Sequence, residues 1–170
     1  RERFLKQDEA SRRLPQMIPA RCQTLVAPVA YANHALLSAR GPEFIRPFKL
    51  YSRTPDLQFL AEAQVLEDFD YLSEQGPGSG DLREAADLTF RLSSAGRAPL
   101  SGFALWPKVI LDSESLIDVS GRESHWEYVV VLTSTLPLAV RDPTIVRLRS
   151  SADVSAVPYR YELETSISAA

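Results

Sequence analysis

The second half of the chain consists of short β-forming segments that follow one another at regular spacing. The segments are rich in aliphatic, β-branched and aromatic residues, and turn-forming residues such as the "RDP" at 141–143 separate them. Strands at such spacing are typical of antiparallel sandwiches and barrels. We therefore predict an all-β fold, an antiparallel β-barrel or sandwich with short helical turns. The segments that predict it are residues 87–93, 101–112, 127–133, 144–150 and 159–165.

Three of these segments carry further information. Residues 127–133 ("EYVVVLT") are apolar on both faces, which is typical of a buried strand. Residues 159–165 alternate between apolar and charged side chains, as a strand with one solvated face does. Pro107 interrupts the segment 101–112. Because proline has no N–H to donate to a ladder, it predicts a sheet edge or a bulge there.

The first half of the chain gives mixed signals. Residues 23–30 ("QTLVAPVA") predict a strand. Residues 31–48 contain a glycine and two prolines as breakers, which predicts an excursion out of the core. In residues 52–72, Thr54 can cap a helix with Pro55 at its first position, so we predict a short helix followed by a strand.

The positions of proline and glycine and the amino-acid composition also predict the domain organisation. Residues 1–22 are basic and contain two prolines, and we interpret them as an entry segment from an upstream cofactor domain. Residues 23–170 then form the β-barrel domain. The glycines of residues 74–85 do not follow the G-x-G-x-x-G spacing, so we expect a loop without a phosphate-binding role. Because the chain begins with Arg1, we expect it to be a piece of a longer protein.

Charge and cysteine content exclude several classes of function. The formal net charge is −3, so no basic footprint predicts nucleic-acid or membrane-surface binding. No apolar run of membrane-spanning length is present. Cys22 is the only cysteine, which leaves no disulfide and no cysteine-based metal site. We expect Cys22 to be a buried free thiol in a protein of the reducing, cytoplasmic compartment.

A His-Trp pair stands directly in front of the most apolar strand, in the stretch "GRESHWEYVV". Trp126 opens that strand, so we expect it to pack at the rim of the core with its indole N–H near a carbonyl or water. Alternation then directs His125 to the opposite face, toward a loop or a cleft. A histidine at such a place is usually a hydrogen-bonded rim residue, and a functional role is the alternative.

This stretch and the strands around it resemble the C-terminal β-barrel of the protein arginine methyltransferases. That family carries a Thr-His-Trp loop directly before an apolar strand, and here Ser124, His125 and Trp126 precede "EYVVVL". The upstream "DLTF" and "SGFALWPKVILDSE" and the downstream "PLAVRDPTIVRLRS" and "YRYELE" match the family's strands in order. The early "RERFL" and "MIPARCQTLVAPV" resemble its barrel entry more loosely.

The chain also departs from that family. Ser124 replaces the usual threonine, which is a conservative change. The segment between Leu5 and Ile18 is longer than the family's short turn. Residues 31–48 are shorter than the family's dimerisation arm and lack its aromatic character. No Gly-rich cofactor loop and no loop with two catalytic glutamates is found in this sequence, although the family has both in a domain that precedes the barrel.

The resemblance implies that the parent protein transfers a methyl group from S-adenosylmethionine to an arginine of a protein or peptide substrate. It implies a homodimeric parent, with residues 31–48 as a shortened dimerisation arm. The barrel would form one wall of the acceptor cleft. His125 would hold the glutamate loop or help to relay a proton, and Trp126 would fix the loop by packing, with Ser124 adjacent. We expect no cofactor-binding or metal-binding residues in this chain, and no activity from it alone.

Two alternatives remain open. The parent could be a related methyltransferase whose acceptor is not arginine, because a fold does not choose a substrate. The chain could also be a free-standing, non-catalytic binding module. The sequence that precedes Arg1 in the parent would distinguish the three hypotheses. A Gly-rich loop with paired glutamates indicates arginine transfer, a Gly-rich loop without them indicates another acceptor, and a start codon just before Arg1 indicates the module.

Overall fold

The structure is a computed structural model, and it covers most of the chain. The predicted entry segment up to residue 17 and the glycine-rich loop at 74–84 lie outside the described residues. So do Ser124 and His125. The described residues are 18–41, 46–72, 85–92, 98–120, 126–140, 144–153 and 160–169.

The described residues form an all-β fold, as the sequence predicts, with one short helix. Every segment that the sequence predicts as a strand is confirmed as one. No helix in these ranges is long and apolar enough to cross a membrane. The elements are β1 (Arg21–Tyr31), α1 (His34–Ser38), β2 (Phe48–Tyr51), β3 (Leu57–Phe59), β4 (Gln64–Asp70), β5 (Ala85–Leu92), β6 (Gly102–Ile110), β7 (Leu116–Asp118), β8 (Glu127–Leu132), β9 (Thr144–Asp153) and β10 (Arg160–Ala169).

The strands form two antiparallel sheets. The larger sheet has the order β2-β8-β6-β1-β3, with β4 paired to β1 and β7 paired to β6. The smaller sheet has the order β10-β9-β5. One edge of β1 pairs with β4 and then with β3, while its other edge pairs with β6 along Arg21 to Val29. This strand therefore joins the two halves of the larger sheet.

The larger sheet curls into a half-barrel, and three aromatic rings show how strongly. Phe59 on β3 and Tyr128 on β8 are separated by β1 and β6, so in a flat sheet they would lie about 14 Å apart. Their ring centroids are 5.5 Å apart, and the rings meet edge to face. Trp106 completes the triangle at 5.5 Å from Phe59 and 5.2 Å from Tyr128. The curl therefore encloses an apolar interior, the aromatic core.

Side chains on the concave face of the curl form the aromatic core around these rings. Alternate residues of β1, β6 and β8 supply it, because successive side chains of a strand point to opposite faces. Phe48 and Leu50 of β2 pack against it from one edge of the sheet. The buried members are Leu25, Ala27, Val29, Ala104, Trp106, Val119, Tyr128, Val130 and Leu132.

The opposite face of the larger sheet packs against the smaller sheet and forms a second core. Phe103 of β6 meets Phe90 of β5 with ring centroids 5.9 Å apart. Val146 and Leu148 of β9 are fully buried in the same layer. Both faces of β1 and β6 are thus covered. We call this layer the inter-sheet core, and its buried members are Val26, Ala30, Leu60, Leu66, Ala86, Phe90, Leu92, Leu100, Phe103, Val146 and Leu148.

Two backbone positions in β6 explain how it fits between its neighbours. A Cβ at Gly102 would lie 2.0 Å from the carbonyl oxygen of Val131, so only glycine allows β6 and β8 to approach there. Pro107 pairs with Thr24 of β1 but lies outside the registers that β6 forms with β7 and β8. The prediction of a local sheet edge at Pro107 is confirmed, since its missing N–H faces no ladder on that side.

The predicted helix at the start of residues 52–72 is wrong. The Thr54 hydroxyl accepts a hydrogen bond from the backbone N–H of Asp56 at 3.4 Å, which is a turn contact rather than a helix cap. Leu57 then enters β3, where it pairs with Tyr31 of β1. Strand pairing and burial therefore override the local capping signal. The second half of the prediction is confirmed by β4.

Residues 31–48 leave the sheet as predicted, but their described part remains against the body of the protein. His34 in α1 is only 1% exposed, and its Nε2 lies 3.0 Å from the carbonyl oxygen of Ser134. The rings of Tyr31 and Phe48, at the two ends of the excursion, are 5.2 Å apart. The excursion is therefore closed at its base. Its role as a dimerisation arm stays a prediction.

The two tryptophans provide a direct test of the curled sheet. We expect Trp106→Ala to lower the free energy of unfolding by about 3–5 kcal/mol, because it empties the centre of the aromatic core. Trp126→Ala should cost clearly less than Trp106→Ala, because Trp126 is 38% exposed whereas Trp106 is 3% exposed. Urea unfolding followed by circular dichroism measures both. Equal losses for the two variants would contradict the assignment of Trp106 to the centre of the curl.

Candidate functional site

The predicted Ser-His-Trp loop ends at the first residue of β8. Trp126 directly precedes β8, and Ser124 and His125 lie outside the described residues. Trp126 is 38% exposed, so it lies outside the two cores, and the expectation that it packs at the rim stays a prediction. Trp106, which is 3% exposed, is the tryptophan that packs in the core. The sequence holds a signal for this, because Trp106 alternates with the small buried Ala104 along β6.

A cleft of about 490 Å³ opens between the two sheets, beside the start of β8. Strands β1, β4, β6 and β8 form one wall, and Leu163 of β10 forms part of the other. Leu105, Val129 and Val131 supply most of the apolar surface of the first wall. The cleft continues the inter-sheet core where the two sheets move apart. We call it the inter-sheet cleft.

Two carboxylates line this cleft, and the sheet register explains their positions. Glu67 of β4 pairs with Thr24 of β1, and Thr24 pairs with Pro107 of β6. Extending the β6–β8 register by two residues places Glu127 beside Pro107. All four residues line the cleft. They form a row across four neighbouring strands, with a carboxylate at each end.

A bulge in β4 brings both Leu66 and Glu67 to the cleft. The β1–β4 register shifts between Thr24 and Leu25, so that Glu67 opposes Thr24 while Val65 opposes Leu25. Leu66 is the extra residue, and bulges of this kind redirect side chains. Leu66 is buried in the inter-sheet core and also lines the cleft. Without the shift, two consecutive residues could not share one face of the strand.

The two carboxylates have different partners. The hydroxyl of Thr24 donates to Oε2 of Glu67 at 2.6 Å. Oε2 of Glu127 lies 3.7 Å from Nζ of Lys49, whose side chain is 70% exposed. An ion pair with so exposed a lysine contributes little, because solvent screens it and the lysine loses conformational entropy. Both carboxylates therefore keep much of their capacity to accept hydrogen bonds.

Cys22 lies next to this row, two residues before Thr24 on the same face of β1. It is partly buried, so the expected free thiol is confirmed, although its burial is incomplete. Burial raises the pKa of the Cys22 thiol, and the negative charge of Glu67 raises that pKa further.

On the opposite face of β1, Arg21 forms an ion pair with Asp68, and this contact raises the pKa of Arg21.

The described residues offer one further histidine and no metal centre. His34 is buried in α1, far along the chain from the predicted loop, and its Nδ1 has no hydrogen-bond partner among the described residues. Because Nε2 of His34 faces a carbonyl oxygen, that nitrogen carries the proton. In the described ranges, no group of three or more His, Cys, Asp or Glu side chains is placed to hold a metal ion.

The fold is similar to that of a solved protein arginine methyltransferase. A crystal structure of protein arginine methyltransferase 10 from Arabidopsis thaliana, described as a uniquely open conformation, matches with a TM-score of 0.61. The match covers 89% of this chain and 56% of that chain, at 14% sequence identity. The chain thus spans little more than half the length of the protein that it matches. No family model matches the chain, and no curated protein matches it.

The coupling of Cys22 to Glu67 can be measured. Glu67→Gln removes a negative charge that disfavours the thiolate, so the pKa of Cys22 should fall and its alkylation by iodoacetamide should begin at lower pH. The fall is partial, because burial is the larger cause and remains. The pH dependence of the alkylation rate is the measurement. Glu62→Gln, at an exposed position outside the cleft, is the matched control and should leave the profile unchanged.

Proposed function

We propose that the chain is the barrel domain of a protein arginine methyltransferase-like enzyme and forms one wall of the cleft that holds the acceptor arginine. The observation that carries the proposal is the combination of this fold with the Ser124-His125-Trp126 sequence at the start of β8. The likeness to the plant enzyme extends over 89% of the chain. The sequence motif and the fold are independent observations, and they support the same class of protein.

The position of the motif supports a role at a cleft wall. Trp126 is followed by Glu127, which lines the inter-sheet cleft and begins β8. A rigid strand that enters the core is a precise support for a loop that must position a side chain. The exposed ring of Trp126 offers an apolar surface on which a companion domain can pack. In this proposal, dimerisation of the parent uses the excursion at residues 31–48.

The chemistry of the acceptor defines what His125 does in this proposal. A guanidinium stays protonated at physiological pH, so anionic carboxylates can hold it, and it must lose a proton as its nitrogen is methylated. We assign those carboxylates to a companion cofactor domain. His125 is a positioning residue that holds the carboxylate loop, or it accepts the proton that leaves the guanidinium nitrogen.

The residues of the inter-sheet cleft do not suit S-adenosylmethionine. That cofactor supplies the methyl group when it is bound, and its own carboxylate needs cationic or N–H donors. The described side chains that line the cleft include no cationic group, so none of them can pair with that carboxylate. We therefore place the methyl donor in the companion domain and derive no step through it here.

The first test of the proposal is His125→Ala. In the parent enzyme with its cofactor domain, we expect turnover to fall by about 10²-fold or more, because the variant removes the group that positions or accepts the proton. The stability of the 170-residue chain should change by less than about 1 kcal/mol. Methyl transfer to an arginine peptide and thermal unfolding are measured together, with Ser113→Ala, in an exposed turn, as the control.

The opposite pair of results would contradict the role of His125. If His125→Ala unfolds the barrel while the folded parent keeps full activity, His125 is a structural histidine. The proposal would then rest on the fold alone.

A second test concerns the cofactor. The chain by itself should show no calorimetric signal when it is titrated with S-adenosylmethionine, because its sequence has no Gly-rich cofactor loop and the described lining of the cleft has no cation for the cofactor's carboxylate. The parent enzyme, titrated under the same conditions, is the positive control. Micromolar binding to the chain alone would place the cofactor site in the barrel and overturn the assignment to a companion domain.

A further inference from the structure

The inter-sheet cleft combines apolar walls with two carboxylates, of which Glu67 has a neutral partner and Glu127 an exposed lysine among the described residues. Its volume of about 490 Å³ lies within the range of small-ligand sites, about 300–1,000 Å³. Leu105, Val129, Val131 and Leu163 make its walls apolar on both sides. Such walls bind the body of a small molecule, while a few polar groups fix its orientation. The charge of those polar groups then decides which ligands fit.

Among the described residues, no cation forms an ion pair with Glu67. The ion pairs among the described residues are Arg21–Asp68, Lys49–Glu127 and Arg149–Asp87, and none of them includes Glu67. Its partner is the neutral hydroxyl of Thr24. A carboxylate next to apolar walls loses hydration, and a single neutral donor does not replace what is lost. The nearest cation on β1, Arg21, pairs with Asp68 on the opposite face.

We propose that the inter-sheet cleft binds a small amphipathic cation, an amine or guanidine on an aliphatic or aromatic body. Its cationic group lies at Glu67, and its apolar body lies along Val129, Val131 and Leu163. An anion is excluded by the two carboxylates at the ends of the row. A neutral apolar ligand fits the walls but leaves Glu67 without a cation.

The second carboxylate of the site, Glu127, is paired with a lysine. Oε2 of Glu127 lies 3.7 Å from Nζ of Lys49, whose side chain is 70% exposed while that of Glu127 is 29% exposed. Lys49 partly neutralises the charge at the β8 end of the row, so Glu67 is the stronger site for a cation. This binding requires neither a methyl donor nor a companion domain, so it goes beyond the function proposed above.

The proposal is tested by calorimetric titration of the 170-residue chain with three ligands that share one apolar body. These are 4-phenylbutylamine, 4-phenylbutanol and 4-phenylbutyrate. We expect the amine to bind about tenfold or more tightly than the alcohol, because a charge-assisted hydrogen bond contributes more than a neutral one. The anionic carboxylate should bind more weakly than the alcohol. Equal binding of amine and alcohol, or preference for the anion, would overturn the proposal.

Two variants assign the binding to the cleft. Glu67→Gln keeps the shape of the side chain and should remove the advantage of the amine over the alcohol, while Glu62→Gln should preserve it. Val129→Trp fills the cleft and should abolish binding of both ligands. Thermal unfolding confirms that each variant is folded. An amine advantage that survives Glu67→Gln in folded protein would show that the cation binds elsewhere.

A lysine-containing peptide is the remaining arm of the experiment. If the peptide binds through Glu67 and the free amine does not bind, the occupant is a basic side chain of a polypeptide, and the small-cation proposal is wrong. If the amine binds and methyl transfer by the parent is unaffected by Glu67→Gln, the site stands apart from the proposed acceptor cleft. The failure of one proposal therefore does not imply the failure of the other.

Discussion

The contact between Phe59, Trp106 and Tyr128 is the interaction on which the rest of the architecture depends. It joins strands that are three positions apart in the sheet, and so it fixes the curl. The curl gives the larger sheet two buried faces, one around the aromatic rings and one against the smaller sheet. Because edge-to-face rings add their own attraction to the buried area, this cluster stabilises a curvature that the individual strands do not require.

The same curvature produces the inter-sheet cleft. A curled sheet and a three-stranded sheet fit closely only over part of their length, where Phe90 and Phe103 meet. Beyond that contact the sheets separate, and the bulge at Leu66 turns both an apolar and an acidic side chain into the space. Pro107 adds a backbone position without an N–H to this wall. At this position the wall therefore offers a ligand no backbone N–H donor.

The sequence predicts the strands that a local pattern marks, and it misses the features set by long-range pairing. The alternation in β10 and the apolar run of β8 are such local patterns. The helix predicted at Thr54 fails because β3 gains its partner in β1, which no local pattern reveals. Trp106 alternates with Ala104 within β6 whereas Trp126 precedes β8, and the curl of the sheet encloses the ring of Trp106. Glu67 could not be predicted either, because a register shift between distant strands places it in the cleft.

The double pairing of β1 has a consequence for how the chain folds. One edge of β1 finds its partners in β3 and β4, which follow soon after it in the sequence. The other edge pairs with β6, a strand much farther along the chain, since Arg21 pairs with Ile110 and Val29 with Gly102. Pairings between such distant residues close large loops and make folding slow. During synthesis the apolar second half of β1 is consequently exposed along one edge until β6 is made. We expect chaperones to bind this strand in that interval.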